Sequence, residues 1–103
     1  MPAIKPRLED MQATAQEACR LMKVLSNPDR LLLLCQLLEG EHNVGELEAA
    51  LGIVQPTLSQ QLTVLREESL VNTRREGKHV YYQIASPQAK AVIRTLYQQF
   101  CGR

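Results

Sequence analysis

The sequence has 103 residues, 45% of them hydrophobic and 22% charged, a composition that fits one ordinary globular domain and argues against wholesale disorder. Its longest uninterrupted apolar run, residues 31–35, is far shorter than the ~20 residues needed to cross a bilayer. The formal net charge is only +1, so any nucleic-acid-binding function must be sought in the distribution of the charges.

The N-terminal residues predict no targeting segment. The first ten residues carry charged side chains and no apolar stretch, unlike a secretory signal, so we expect a cytoplasmic protein. Residues 1–7, which include two prolines, predict a flexible N-terminal arm, and residues 8–103 predict a single folded domain. The three cysteines are odd in number and widely spaced, which argues against a disulfide framework.

Two helices are predicted in the first third of the chain. In residues 8–25, apolar side chains recur at steps of three and four, as in an amphipathic helix. Asn27 then provides an N-cap and Pro28 suits a first helical position. The helix from Pro28 to about Leu38 is apolar nearly all round, so we expect it to be the central core helix, ended by Gly40.

Two short helices follow, separated by a tight turn. The first spans residues 44–51 and is closed by Gly52. The second starts near Gln55, with Pro56 in its first turn, and continues to about Glu68. Two short helices joined by a glycine-containing turn are typical of a helix-turn-helix.

The apolar period changes after Ser69. Residues 70–73 and 80–84 are rich in β-forming side chains and flank a turn that contains Gly77, which predicts a hairpin. Ser86 and Pro87 then begin a last helix, which ends at Phe100. The predicted fold class is therefore mainly α with a small β-hairpin: a winged helix-turn-helix of about five helices plus a wing.

The second helix of the helix-turn-helix carries candidate DNA-reading residues. Amide and hydroxyl groups can donate and accept at base edges, and this face has no carboxylate that phosphate would repel. A basic residue follows at the far end, where it could reach the DNA backbone. The candidates are Gln55, Thr57, Ser59, Gln60, Gln61, Thr63 and Arg66. The alternative is a polar solvent-facing surface without a function.

The predicted hairpin is locally basic. Its cations are suited to phosphate or minor-groove contact, since backbone neutralisation supplies most non-specific affinity. The alternative is a solvated charged turn. These residues are Arg74, Arg75, Lys78 and His79.

Residues 25–82 resemble the ArsR family of bacterial repressors. The matching stretches are LSNPDRLLLLCQLLEGEHNVGELEAALGIVQPTLSQQLTVLREESLV and RREGKHVYYQI, with Gln61 where many members have His. The resemblance implies a transcriptional repressor that dimerises through its first and last helices. Two-fold symmetry then implies that double-stranded operator DNA is bound as an inverted repeat.

The sequence lacks the ligand residues of the metal sites that are common in that family. The helix at residues 44–51 has no cysteine, and residues 87–100 contain no His, Asp or Glu. The only histidines are His42 and His79, in a loop and the wing. We therefore expect neither a metal site nor a cofactor.

Two cysteines resemble those of a dithiol subgroup of the family that senses reactive sulfur or redox state. The resemblance implies that Cys35 and Cys101 become linked, by a disulfide or a bridge with extra sulfur, and that repression is then relieved. Cys19 is interpreted as dimer-interface packing. From the residues alone, Cys35 could equally be an inert core thiol with a raised pKa.

Other classes of function find little support. A thiol oxidoreductase favours a CxxC motif, a cysteine nucleophile needs a histidine partner, and no phosphate-binding glycine loop is present, so we expect no enzyme. A protein-interaction module would leave the polar helix face and basic hairpin unexplained. The remaining alternatives are a metal- or metalloid-responsive repressor and a constitutive repressor with inert cysteines.

Overall fold

The computed structural model describes residues 4–101, and within them it confirms the predicted mainly helical winged helix-turn-helix. The helices are α1 (Leu8–Leu25), α2 (Pro28–Gln36), α3 (Val44–Leu51), α4 (Thr57–Glu67) and α5 (Pro87–Phe100). The strands are β1 (His42–Asn43), β2 (Val71–Glu76) and β3 (His79–Ile84). Residues 4–7 of the predicted arm have no regular secondary structure, and its first three residues lie outside the described part.

Helix α2 is the centre of the fold, as its nearly continuous apolar sequence predicted. It contacts α1, α3, α4 and α5. Leu33 and Leu34 are completely buried on it, whereas Leu32 remains 46% exposed. The helix is shorter than expected: regular α-helix ends at Gln36, and a 3-10 turn (Leu37–Glu39) leads to Gly40.

Side-chain caps define where the helices begin. The Asn27 side chain accepts a hydrogen bond from the Arg30 backbone at the start of α2, and Ser86 caps α5, as the sequence predicted. Asn43 and Glu46 form a reciprocal capping box at α3. Gly52 ends α3 with a φ of +69°, a left-handed conformation that favours glycine.

The wing is a three-stranded antiparallel sheet with strand order β1-β3-β2. The predicted hairpin is present, with Arg74 opposite Tyr81 and Glu76 opposite His79. Strand β1 was not predicted, because the sequence indicated a loop there. It pairs His42 with Tyr82 and so joins the start of the helix-turn-helix to the wing.

Helices α1 and α5 leave apolar side chains at the surface. Only Val24 and Leu25 of α1 are buried. On α5, Ala89 and Ile93 are completely buried. The exposed large apolar side chains of these two helices are Leu8, Met11, Met22, Val92, Tyr97 and Phe100. No helix within residues 4–101 is both long and apolar enough to cross a membrane.

Candidate DNA-binding surface and thiol pair

Helix α4 is amphipathic and packs one side into the core. Leu58, Leu62 and Leu65 are at most 1% exposed. At its start, the Gln55 Oε1 accepts hydrogen bonds from the Ser59 backbone N (3.2 Å) and Oγ (2.6 Å). Gln55 therefore stabilises the first turn of the helix, a role that the base-reading prediction did not include.

The exposed side of α4 presents several kinds of hydrogen-bonding group. Ser59 gives its hydroxyl proton to Gln55, and Thr63 Oγ1 donates to the Ser59 carbonyl oxygen at 2.8 Å. Both hydroxyl oxygens therefore keep lone pairs that can accept further hydrogen bonds. Gln60 is exposed, and its amide makes no side-chain hydrogen bond within residues 4–101. Thr57 is half-buried and so lies nearer the core than expected.

Gln61 lies at the edge between the core and the exposed side. It is half-buried, and its Oε1 accepts a hydrogen bond of 3.1 Å from Arg30 Nη1 on α2. The sequence indicated that Gln61 flanks the base-reading face but gave no sign of this partner. At the other end of the helix, Arg66 is exposed.

The four basic residues of the wing have different surroundings. Arg74 Nε lies 2.9 Å from both carboxylate oxygens of Glu41, and its Nη1 lies 2.6 Å from Glu76. Its guanidinium carbon also lies 4.6 Å from the centroid of the Tyr81 ring. These contacts raise the pKa of Arg74 and lower the pKa of Glu41, in both cases mainly through their mutual hydrogen bond.

Arg75, Lys78 and His79 lie nearer the tip of the hairpin and are exposed. Within residues 4–101, neither Arg75 nor Lys78 forms an ion pair. The His79 ring packs edge-on against Tyr81, with centroids 6.2 Å apart. The structure thus separates Arg74, which is held by carboxylates, from Arg75 and Lys78, whose charges no neighbour within residues 4–101 compensates.

One exposed residue beside α4 escaped the sequence analysis. Val54 immediately precedes Gln55 and is 71% exposed. Such a side chain can contact the methyl group of thymine in a major groove. A search for exposed apolar residues in the turn could have identified it.

The two predicted switch cysteines lie on helices that contact each other. Cys35 is half-buried on α2, and Cys101 is exposed at the C-terminal end of α5. Burial raises the pKa of Cys35, and the negative charge of a Cys101 thiolate raises it further. All three cysteines are free thiols, and Cys19 is exposed on α1.

The order of elements, the exposed polar side of α4 and the wing beside it define a winged helix-turn-helix transcriptional regulator. Residues 27–73 match the model of the family described as "Bacterial regulatory protein, arsR family". The chain belongs to this ArsR family, as its sequence resemblance indicated. Members of the family bind DNA and are typically dimers.

Relatives of this chain span nearly its whole length. The biofilm growth-associated repressor of Xylella fastidiosa (strain 9a5c) is 50% identical, with 92% of this chain and 83% of that protein aligned. The transcriptional activator HlyU of Vibrio cholerae is 40% identical, with 98% and 96% aligned. These relatives belong to the dithiol subgroup that the sequence resembles.

Solved structures agree with the fold. The transcriptional repressor BigR from X. fastidiosa superposes with a TM-score of 0.88 at 49% identity, covering 95% of this chain and all of that one. Reduced HlyU from V. cholerae superposes with a TM-score of 0.85 at 41% identity, covering 91% and 99%. One relative is named a repressor and the other an activator, so relatives of this chain regulate in both directions.

Proposed function

We propose that this regulator is a cytoplasmic repressor that binds an inverted-repeat operator as a homodimer. We further propose that a cross-link between Cys35 and Cys101, formed by reactive sulfur species or oxidants, releases it from DNA. The observation that carries the proposal is the contact between two elements: α4, whose residues 57–64 expose polar side chains and include no carboxylate, and a wing with two cations that form no ion pair within residues 4–101.

The DNA-binding part is supported by the chemistry of the two elements. Gln60 has a free donor and a free acceptor, and Ser59 and Thr63 have free acceptors, which suits the edges of bases in a major groove. Arg75 and Lys78 suit the phosphate backbone, because their charges are not compensated within the described chain. Arg66, Arg74 and His79 remain predicted backbone contacts.

The homodimer is supported by the apolar surface of α1 and α5. Phe100 is 73% exposed, Leu8 is 64% exposed and Met22 is 58% exposed, values that are costly for an isolated subunit. A second copy of the chain packed against these helices would bury all three. Cys19, exposed on α1, would then be an interface residue, as the sequence analysis predicted.

The switch is supported by the contact between α2, which carries Cys35, and α5, whose C-cap is Cys101. With hydrogen peroxide, the two thiols lose two electrons and two protons, a disulfide forms, and the peroxide becomes two waters. With a persulfide donor, one thiolate takes the outer sulfur and releases the donor thiol. The second cysteine then attacks the new persulfide, and a disulfide forms as hydrogen sulfide leaves.

A combined experiment tests both parts. The reduced protein, treated separately with a persulfide donor and hydrogen peroxide, would be analysed by intact-mass and peptide mass spectrometry and by gel shift on an operator duplex. We expect a Cys35–Cys101 cross-link together with loss of DNA binding. Cys35→Ser and Cys101→Ser should bind DNA but fail to release it, and Cys19→Ser serves as the matched control that still responds.

The alternatives give different results in the same assays. If the thiols stay unmodified while DNA is bound, the protein is a constitutive repressor with inert cysteines, a reading that the raised pKa of Cys35 favours. A metal- or metalloid-responsive repressor would release DNA with an added ion. Within residues 4–101, no group of three or more His, Cys, Asp or Glu side chains could hold such an ion.

A further inference from the structure

Arg30 connects three parts of the helical framework. Its Nε donates to the Val24 carbonyl oxygen at the end of α1, at 2.7 Å. Its Nη1 donates to Gln61 Oε1 on α4, at 3.1 Å, across 31 residues of sequence. The guanidinium is half-buried, and its planar group makes both contacts at once.

The chemistry of arginine fixes how the Gln61 amide is turned. A guanidinium has only donors, so the amide atom facing it must be the oxygen. The amide NH₂ therefore lies at the other end of the group, and it makes no hydrogen bond within residues 4–101. One lone pair of the oxygen is thus engaged by Arg30, whereas both donors of the NH₂ remain for a further partner.

We propose that Arg30 is a positioning residue for operator recognition: by holding the amide oxygen of Gln61, it presents the NH₂ of that amide as a donor to a base acceptor. This inference rests on the proposed function, because it requires α4 to contact DNA. The acceptors in a major groove that suit a single donor are guanine N7 and O6, adenine N7 and thymine O4. A bidentate pair with adenine uses the amide oxygen as well as the NH₂. Arg30 competes with adenine N6 for that oxygen, so we expect Gln61 to favour this pairing less than an unconstrained glutamine does.

Gln60 is the natural comparison on the same helix. Its amide is exposed and makes no side-chain hydrogen bond within the described chain, so both of its ends are free to pair with adenine. Two adjacent glutamines thus differ in what they can recognise, and the difference originates from a residue on α2. The polar pattern of α4 alone would treat them as equivalent.

The experiment is a selection from duplexes with randomised half-sites, with sequencing of the bound pool. It compares the wild type, Gln61→Leu, Arg30→Lys and the double variant. We expect Gln61→Leu to lower the preference for an acceptor base about fivefold at one base pair of each half-site, as for loss of one hydrogen bond. Arg30→Lys should change the preference at that same base pair towards adenine, because the freed amide can turn.

Three features of the design isolate the effect on recognition. Lysine keeps the charge of Arg30, so the salt dependence of binding should not change. In the Gln61→Leu background, Arg30→Lys should have no further effect on base preference. Arg20→Lys is the matched control, because Arg20 makes its ion pair with Glu68 at 2.7 Å rather than with Gln61 and should leave every preference unchanged.

A second variant does not depend on removing Arg30. Gln61→Glu keeps an oxygen towards the guanidinium but replaces the donating NH₂ by an acceptor, so the preference should move to cytosine, whose N4 donates. The inference is overturned if the Gln61 variants weaken binding to all sequences equally, as loss of a phosphate contact would. It is also overturned if Arg30→Lys leaves the base preference unchanged. If the wild-type protein enriches no sequence at all, the proposed function is overturned as well. Circular dichroism checks that each variant is folded.

Discussion

Neutralising two cations of the wing should flatten the salt dependence of DNA binding by a calculable amount. Arg75 and Lys78 are exposed and form no ion pair within residues 4–101, whereas Arg74 is already held by two carboxylates. These two side chains supply two of the predicted phosphate contacts per subunit and four per proposed dimer. Each contact contributes about 0.9 to the slope of log K against log salt, so Arg75→Gln with Lys78→Gln should reduce the slope by about 3.6.

Fluorescence anisotropy with a labelled duplex, at salt concentrations from 50 to 200 mM, measures this slope. Over that fourfold range, the wild type should lose about 150-fold more affinity than the variant does, since the difference is four raised to the power 3.6. The weakening should be the same for operator and random duplexes, because phosphate contacts carry no sequence information. Arg94→Gln, on α5, is the matched control. An unchanged slope in the double variant would refute a phosphate-binding wing.

Three further outcomes are expected. Mass spectrometry should show that Cys35 is alkylated more slowly than the exposed Cys101 at pH 7, and that the alkylation rate of Cys35 rises about tenfold per pH unit. Cys101→Ser should accelerate the alkylation of Cys35 at alkaline pH, because it removes the neighbouring negative charge. Leu58→Ala, at a completely buried position, should lower the free energy of unfolding by about 3 kcal/mol in denaturant titrations. Because Arg74 lowers the pKa of Glu41, their pairing stabilises the wing above about pH 4.5 and is lost as the pH falls further. Hydrogen exchange of β2 and β3 should therefore be less acid-sensitive in Glu41→Gln than in the wild type.

The fold could be predicted closely because its signals are local. The apolar period of α1, the Asn27–Pro28 start of α2 and the Gly77 turn each lie within a few consecutive residues, and the structure confirms all three. Strand β1 has only two residues, too few for an alternating pattern, and it forms because β3 offers a free edge. The early end of α2 reflects a tightened last turn that no residue type marks.

The candidate site was less predictable, because its decisive contacts join distant residues. The pairing of Arg74 with Glu41 spans 33 residues, and that of Arg30 with Gln61 spans 31. The sequence shows which side chains are basic or polar, but their availability to DNA depends on such partners. The wing cations Arg74, Arg75 and Lys78 were equivalent in the sequence, but the structure divides them into two groups with different expected roles.

Helix α2 links the proposed sensing and DNA-reading parts of the molecule. It carries Cys35 on its last turn and Arg30 on its first, and it contacts both α5, which ends at Cys101, and α4. A helix transmits displacement along its axis because its backbone hydrogen bonds resist bending. A covalent bridge that draws Cys35 towards the end of α5 would therefore also act on Arg30, the residue that holds the Gln61 amide. On this reasoning, cross-linking should disturb base recognition, so that operator preference and overall affinity fall together.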